Sequence, residues 1–329
     1  MSVFFVLAII LAFFFAFWNG LSDAAYSIST IIATRVLSPR LAVLFSAVGN
    51  FTGLLFGTAV AQTIGRGIVD PNLINDKFLF SVLLGGLLWD ISTWFFALPI
   101  SESHVLVGSL IGAGLVSAGS AGVKFNSILD KVLVPMIGSP VITFIVAFLL
   151  IRLVSRIFVS THPKKANRIF RSLQLISSFT TSVSHGANDG QKAMGIVTIL
   201  LFNAGLISSF SVPLWVMLAC YGLLSLGTLF GGWKIVKTMS KGITKLKPYQ
   251  GFCSEAASTL VLFSTALIGF PVSTTQAVSG AIMGVGAARR KTAVHWTMAR
   301  KIVIAWFLTM PASALLSGLI YFIVSRLVP

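Results

Sequence analysis

The chain has 329 residues, of which 56% are hydrophobic and only 10% charged, and a formal net charge of +16. A water-facing surface usually needs about a quarter of its residues charged, so a soluble globular protein is excluded. The bases sit in short loops between apolar runs, the positive-inside pattern of membrane proteins, which argues against nucleic acid as their partner. The apolar runs are long enough to cross ~30 Å of hydrocarbon as helix, and they lack the alternation of a transmembrane barrel. Cys220 and Cys253 give no disulfide framework, so the fold must rest on helix packing.

In chain order, the first predicted span runs from Ser2 to about Thr34, with a polar interruption at Asn19-Gly20-Leu21-Ser22-Asp23. Its start has no basic region and no cleavage-like site, which reads as a mature helix rather than a signal peptide. A second span covers about Leu41 to Thr63, and a third Phe78 to Leu98. Pro99-Ile100-Ser101-Glu102-Ser103-His104 breaks the chain before a short apolar arm, Val105 to Ala118. Val132 to Ile151 spans again, and residues 152–172 form a basic linker expected to be cytoplasmic. The segment Ser172 to Phe202 is interrupted by His185-Gly186-Ala187-Asn188-Asp189-Gly190-Gln191-Lys192. Spans follow at Val212 to Phe230 and Phe252 to Phe270. Pro271-Val272-Ser273-Thr274-Thr275-Gln276 then breaks the chain before a second short arm, Ala277 to Ala288, and Ile302 to Val324 is the last span.

The two halves match. Asn19–Asp23 aligns with His185–Asp189 at a shift of 166, and Pro99-Ile100-Ser101 with Pro271-Val272-Ser273 at a shift of 172. Gly108, Gly112 and Gly114 align with Gly280, Gly284 and Gly286 at that second shift. Counting crossings from the basic loops gives the halves opposite orientation and puts both termini outside. The expected architecture is an all-α integral membrane protein. It consists of inverted-topology repeats, residues 1–151 and 173–329, with broken helices and two hairpin-like segments. Such repeats build many secondary transporters, with sites where helices break in corresponding places.

The chemistry gathers at those breaks. An ionisable group at membrane depth costs at least ~2.5–3.5 kcal/mol unless it is paired, hydrated or neutral. Asp23 and Asp189 occupy equivalent positions. With Asn19, Ser22, Asn188 and Gln191 they offer a hard-oxygen cage for Na⁺, or carboxylates that take a proton; alternatively they cap the helices that follow. At the Pro-x-Ser breaks, each short arm begins with unpaired amides and the positive end of a helix dipole, a seat for an anion. Ser101, Ser103, His104, Ser273, Thr274, Thr275 and Gln276 supply donors there, or the hydroxyls merely cap the arms. Glu102 beside such a seat is a coupling group or pairs with Lys192 or His104. No G-x-x-x-x-G-K-[ST] motif is present, and nothing indicates an enzyme or a cofactor beyond a coupling Na⁺.

At these breaks the sequence resembles the inorganic phosphate transporter family of sodium- or proton-coupled permeases. The resemblance rests on His185–Gly195, on Pro271–Gln276 followed by Ser279–Gly286, and on Thr34–Arg40, and it covers nearly the whole chain. The long cytoplasmic insert of animal members is absent, as in compact bacterial forms. Ser22, Tyr26 and Gln276 stand where the family commonly has Asn, Asn and His. The resemblance implies a cell-membrane symporter that binds phosphate at the hairpins and Na⁺ or H⁺ at the aspartates. Sulfate or another oxyanion is the alternative cargo; an anion channel or a membrane sensor is the alternative class. Gly108 to Gly114 suits packing within one subunit or between copies in a homo-oligomer.

Overall fold

A computed structural model of the chain describes residues 2–70 and 73–327. Met1 and Pro329, expected outside, are not among them. The first half comprises α1 (Val3–Ala33), α2 (Pro39–Thr52), α3 (Ala59–Arg66), α4 (Asp76–Phe95), α5 (Glu102–Ala118), a short α6 (Phe125–Ile128) and α7 (Val134–Ile157). The second comprises α8 (Pro163–Asn203), α9 (Leu214–Phe230), α10 (Trp233–Gly242), α11 (Pro248–Ile268), α12 (Thr274–Arg289) and α13 (Trp296–Leu327). Among the described residues, seven helices are long and apolar enough to cross a membrane. α9 and α10 meet at 70° and together are also long and apolar enough, as one broken span or as a re-entrant pair.

α8 fails that hydropathy test because of its polar middle, yet every residue from Thr181 to Leu201 is buried. It is wrapped by α1, α2, α3 and α11, so its polar side chains meet protein rather than lipid.

Two expected interruptions are absent. α1 passes through Asn19–Asp23 and α8 through His185–Lys192 as unbroken helix. The polar side chains there face other helices rather than lipid, and the backbone keeps its own hydrogen bonds. Gly20 and Gly186 admit close neighbours instead of unwinding the chain. A Cβ on Gly20 would collide with the carbonyl of Leu224 on α9, and one on Gly186 with the carbonyl of Asn50 on α2. The helix-capping reading of Asp23 and Asp189 falls with the breaks, since both lie mid-helix. The basic stretch 152–172 is also mostly helix: Arg152 and Arg156 end α7, and Lys164 to Arg171 open α8.

The proline breaks are real. Residues 96–101 separate α4 from α5, and 269–273 separate α11 from α12, giving two hairpins in corresponding places. The halves interlock through them: α5 packs on α13 and α12 on α7, while α1 packs on α9 and α2 on α8. Gly108 and Gly112 lie against the backbone of Met310 and Ala314 on α13. Gly280 and Gly284 lie against the backbone of Pro140 and Phe144 on α7. The aligned glycines are thus the contact surface of each hairpin arm.

Candidate functional site

The equivalent aspartates meet at the centre. Asp23 on α1 and Asp189 and His185 on α8 present ligand atoms that all lie within 4.8 Å of one another. Residues three and four apart share a helix face, which is why His185 and Lys192 both reach Asp189. Lys192 Nζ pairs with Asp189 Oδ1 at 2.8 Å, and His185 Nε2 lies 3.3 Å from Oδ2. Oδ2 also accepts a hydrogen bond from Thr274 Oγ1 on α12 at 3.2 Å. The His185 ring is oriented from behind: its Nδ1–H donates to Asn50 Oδ1 at 2.9 Å, and Asn50 Nδ2 donates to Thr228 Oγ1 at 2.8 Å.

Asp23 is treated differently. Among the described residues no basic side chain forms an ion pair with it, and its Oδ2 has no hydrogen-bonding donor. One turn earlier on the same face, both side-chain polar atoms of Asn19 lack partners, as does Oδ1 of Asn188. All of these groups are buried. Two carboxylates this close need a proton or a cation between them, and unpartnered buried oxygens are what such a cation would recruit.

The hairpin tips form the second part. Ser101 and Ser273 are the N-caps of α5 and α12, each accepting from the amide three residues on, His104 N and Gln276 N, at 3.2 Å. The cap consumes that one amide and leaves the first two of each arm, at Glu102, Ser103, Thr274 and Thr275, without intrahelical partners. The tips touch: Ser103 Oγ donates to Val272 O at 2.8 Å, and Gln276 Nε2 donates to His104 Nδ1 at 3.2 Å. His104 and Gln276 are themselves equivalent positions. They also border an apolar cavity of about 530 Å³ lined by Met136, Phe144 and Met310. The positive ends of two helix dipoles therefore converge beside the carboxylate pair, with Thr274 joining them.

All fourteen sequence-predicted site residues are buried, none more than 9% exposed, but they are not equally free. Gln191 accepts from Val60 N and Ala61 N at 2.8 and 3.3 Å and donates to Ala187 O, pinning α3 to α8. Ser22 donates to Glu102 Oε1 at 2.9 Å. Glu102 thus pairs with neither His104 nor Lys192. Glu255 accepts from Thr30 and Ser177 at 2.5 Å and from Gln174 at 3.2 Å. The sequence reading missed Asn50 and Thr228, which lie 135 and 43 residues from His185 in the chain and carry no spacing signal. It also missed the pairing of Lys192 with Asp189, offering Lys192 to Glu102 instead, although the i, i+3 spacing carries the signal.

The chain is similar to several known proteins. A family model described as the phosphate transporter family matches residues 19–317. A protein of Rhizobium meliloti named a probable low-affinity inorganic phosphate transporter is 49% identical over 316 residues, covering 95% of this chain and 94% of that protein. A protein of the same name in Bacillus subtilis is 38% identical, covering 98% and 97%. A solved structure, a sodium-dependent phosphate transporter, superposes with a TM-score of 0.92 at 25% identity, over 99% of this chain and 100% of that one.

Proposed function

The chain belongs to the phosphate transporter family, and from that premise we propose that it is a secondary active transporter that moves inorganic phosphate together with Na⁺ or H⁺. The family and its members are transporters rather than enzymes. The observation that carries the coupling reading is the contact between Asp23 and Asp189, equivalent residues of inverted repeats brought within 4.8 Å at a buried centre. Phosphate docks between the hairpin tips, on the free amides at the start of α5 and α12 and on the hydroxyls of Ser103, Thr274 and Thr275. The coupling cation lies between Asp23 and Asp189, with Asn19 and Asn188 lending oxygens. Thr274 links the two sites, since it stands on the anion-binding arm and donates to Asp189. The cation thereby fixes the tip that holds phosphate, and the halves rock about the occupied centre. The solved neighbour is sodium-dependent, which favours Na⁺. The protein sits in the cell membrane with the basic ends of α7 and α8 inside and both termini outside.

The test is radiolabelled phosphate uptake into proteoliposomes under an imposed Na⁺ or proton gradient, with sulfate as the competing cargo. Gradient-driven phosphate uptake supports the reading and names the ion. Phosphate flux indifferent to both gradients overturns the coupling; sulfate flux alone overturns the cargo.

A further inference from the structure

The two halves of the carboxylate centre are not alike. At the shift of 166 that superposes Asp23 on Asp189, the position of Lys192 corresponds to Tyr26. Lys192 is wholly buried, and its ammonium sits 2.8 Å from Asp189 Oδ1. Tyr26 is also buried, but its hydroxyl donates to the carbonyl of Ile100 at 3.4 Å and brings no charge. The pair of Lys192 with Asp189 lies within α8, three residues apart, and so ties no two elements together. A buried ammonium is stable only when a partner offsets its desolvation, so Lys192 stays with Asp189. Of the two equivalent carboxylates, Asp189 thus has a fixed ammonium against it and Asp23 has none, which leaves Asp23 for a mobile ion.

We propose that Lys192 is a tethered cation: it occupies the half-site at Asp189 that a second coupling ion would otherwise fill, and so sets the number of cations carried with each phosphate. This rests on the coupling reading above and deepens it. His185 shares the Asp189 carboxylate, but its imidazole is held by Asn50 and lies at Oδ2, leaving Oδ1 to the ammonium. The geometry also separates Lys192 from a phosphate ligand, because its nitrogen is engaged by Asp189 whereas the hairpin tips present their own donors.

The experiment measures the number of positive charges moved per phosphate, from the reversal potential of phosphate flux in proteoliposomes, at several Na⁺ concentrations and pH values. The proteins are the full-length wild type, Lys192→Met, Lys192→Gln and Lys192→Arg. Lys192→Met is expected to move one more cation per phosphate than wild type, Na⁺ or proton. Its uptake should fall at least tenfold at low Na⁺ and recover as Na⁺ rises. Lys192→Arg is expected to keep the wild-type ratio, since it preserves the charge count. An unchanged ratio in Lys192→Met, with only the phosphate KM raised, would make Lys192 a phosphate ligand and overturn the inference while leaving the coupling reading intact. If Lys192→Met does not fold, Lys192→Gln, which keeps a polar head beside Asp189 without the charge, decides: one more cation per phosphate than wild type supports the inference, and the wild-type ratio overturns it. A wild type whose flux ignores both gradients sinks the coupling reading and this inference together.

Discussion

Asp23 and Asp189 are the same residue in two settings, and their substitutions should differ in kind. Asp23→Asn removes the carboxylate that has no fixed counter-charge. Gradient-driven uptake should fall at least tenfold, about 1.4 kcal/mol or more, with folding retained because no ion pair is broken; uptake and a detergent melting curve check both halves. Asp189→Asn alone strands a buried ammonium, and breaking one side of a buried pair typically costs about 3–5 kcal/mol, so it should lower the melting temperature as well as uptake. Thr274→Val keeps the volume and removes the bond to Asp189. Phosphate uptake in that variant should need several-fold more cation for half-saturation, read from cation titrations at fixed phosphate. At this scale the aspartates were legible because the motif occurs twice. The Asn50–His185 bond was not, because only folding brings α2 against α8.

The elements show where sequence patterns mislead. A polar cluster inside an apolar run suggested an unwound helix, yet α1 and α8 run straight through. A hydropathy pattern records side-chain polarity and cannot tell that the polar faces are covered by other helices. Proline breaks were legible because they act on the backbone itself. The hairpin turns carry a further asymmetry. Ala97 has φ of 54° and its equivalent, Gly269, φ of 87°. The left-handed region costs a residue with a Cβ roughly 1–2 kcal/mol. Ala97→Gly should therefore raise stability by up to about 1 kcal/mol, the added chain freedom of glycine offsetting the rest, visible as a higher melting temperature. The aligned glycines also make a graded prediction. Gly112→Val and Gly284→Val force side chains into the facing backbones of α13 and α7 and should destabilise by about 1–3 kcal/mol or more. Gly222→Ala meets nothing within 4 Å and should melt like wild type.

For the whole molecule, the repeat pattern told where the two corresponding hairpins fall in the order of helices, because duplicated motifs survive in sequence. It did not tell that each hairpin arm packs on the last helix of the opposite half, α5 on α13 and α12 on α7. That interlock predicts that neither half is stable alone. A chain cut at the exposed turn beside Val159, which is 82% exposed, should transport phosphate when both pieces are co-expressed. Either piece by itself should fail to accumulate, as blotting of membrane fractions would record.

The pairing of α5 with α13 also sets a timetable for synthesis. Gly108 and Gly112 leave the ribosome some 200 residues before the backbone they rest against. Until the C-terminal helix is inserted, the glycine face of the first hairpin has only lipid or another chain to lean on. Quality-control proteases that sense a missing final helix would thus find the same exposed groove in every C-terminally truncated copy, however short the truncation that removes Met310 to Ser317.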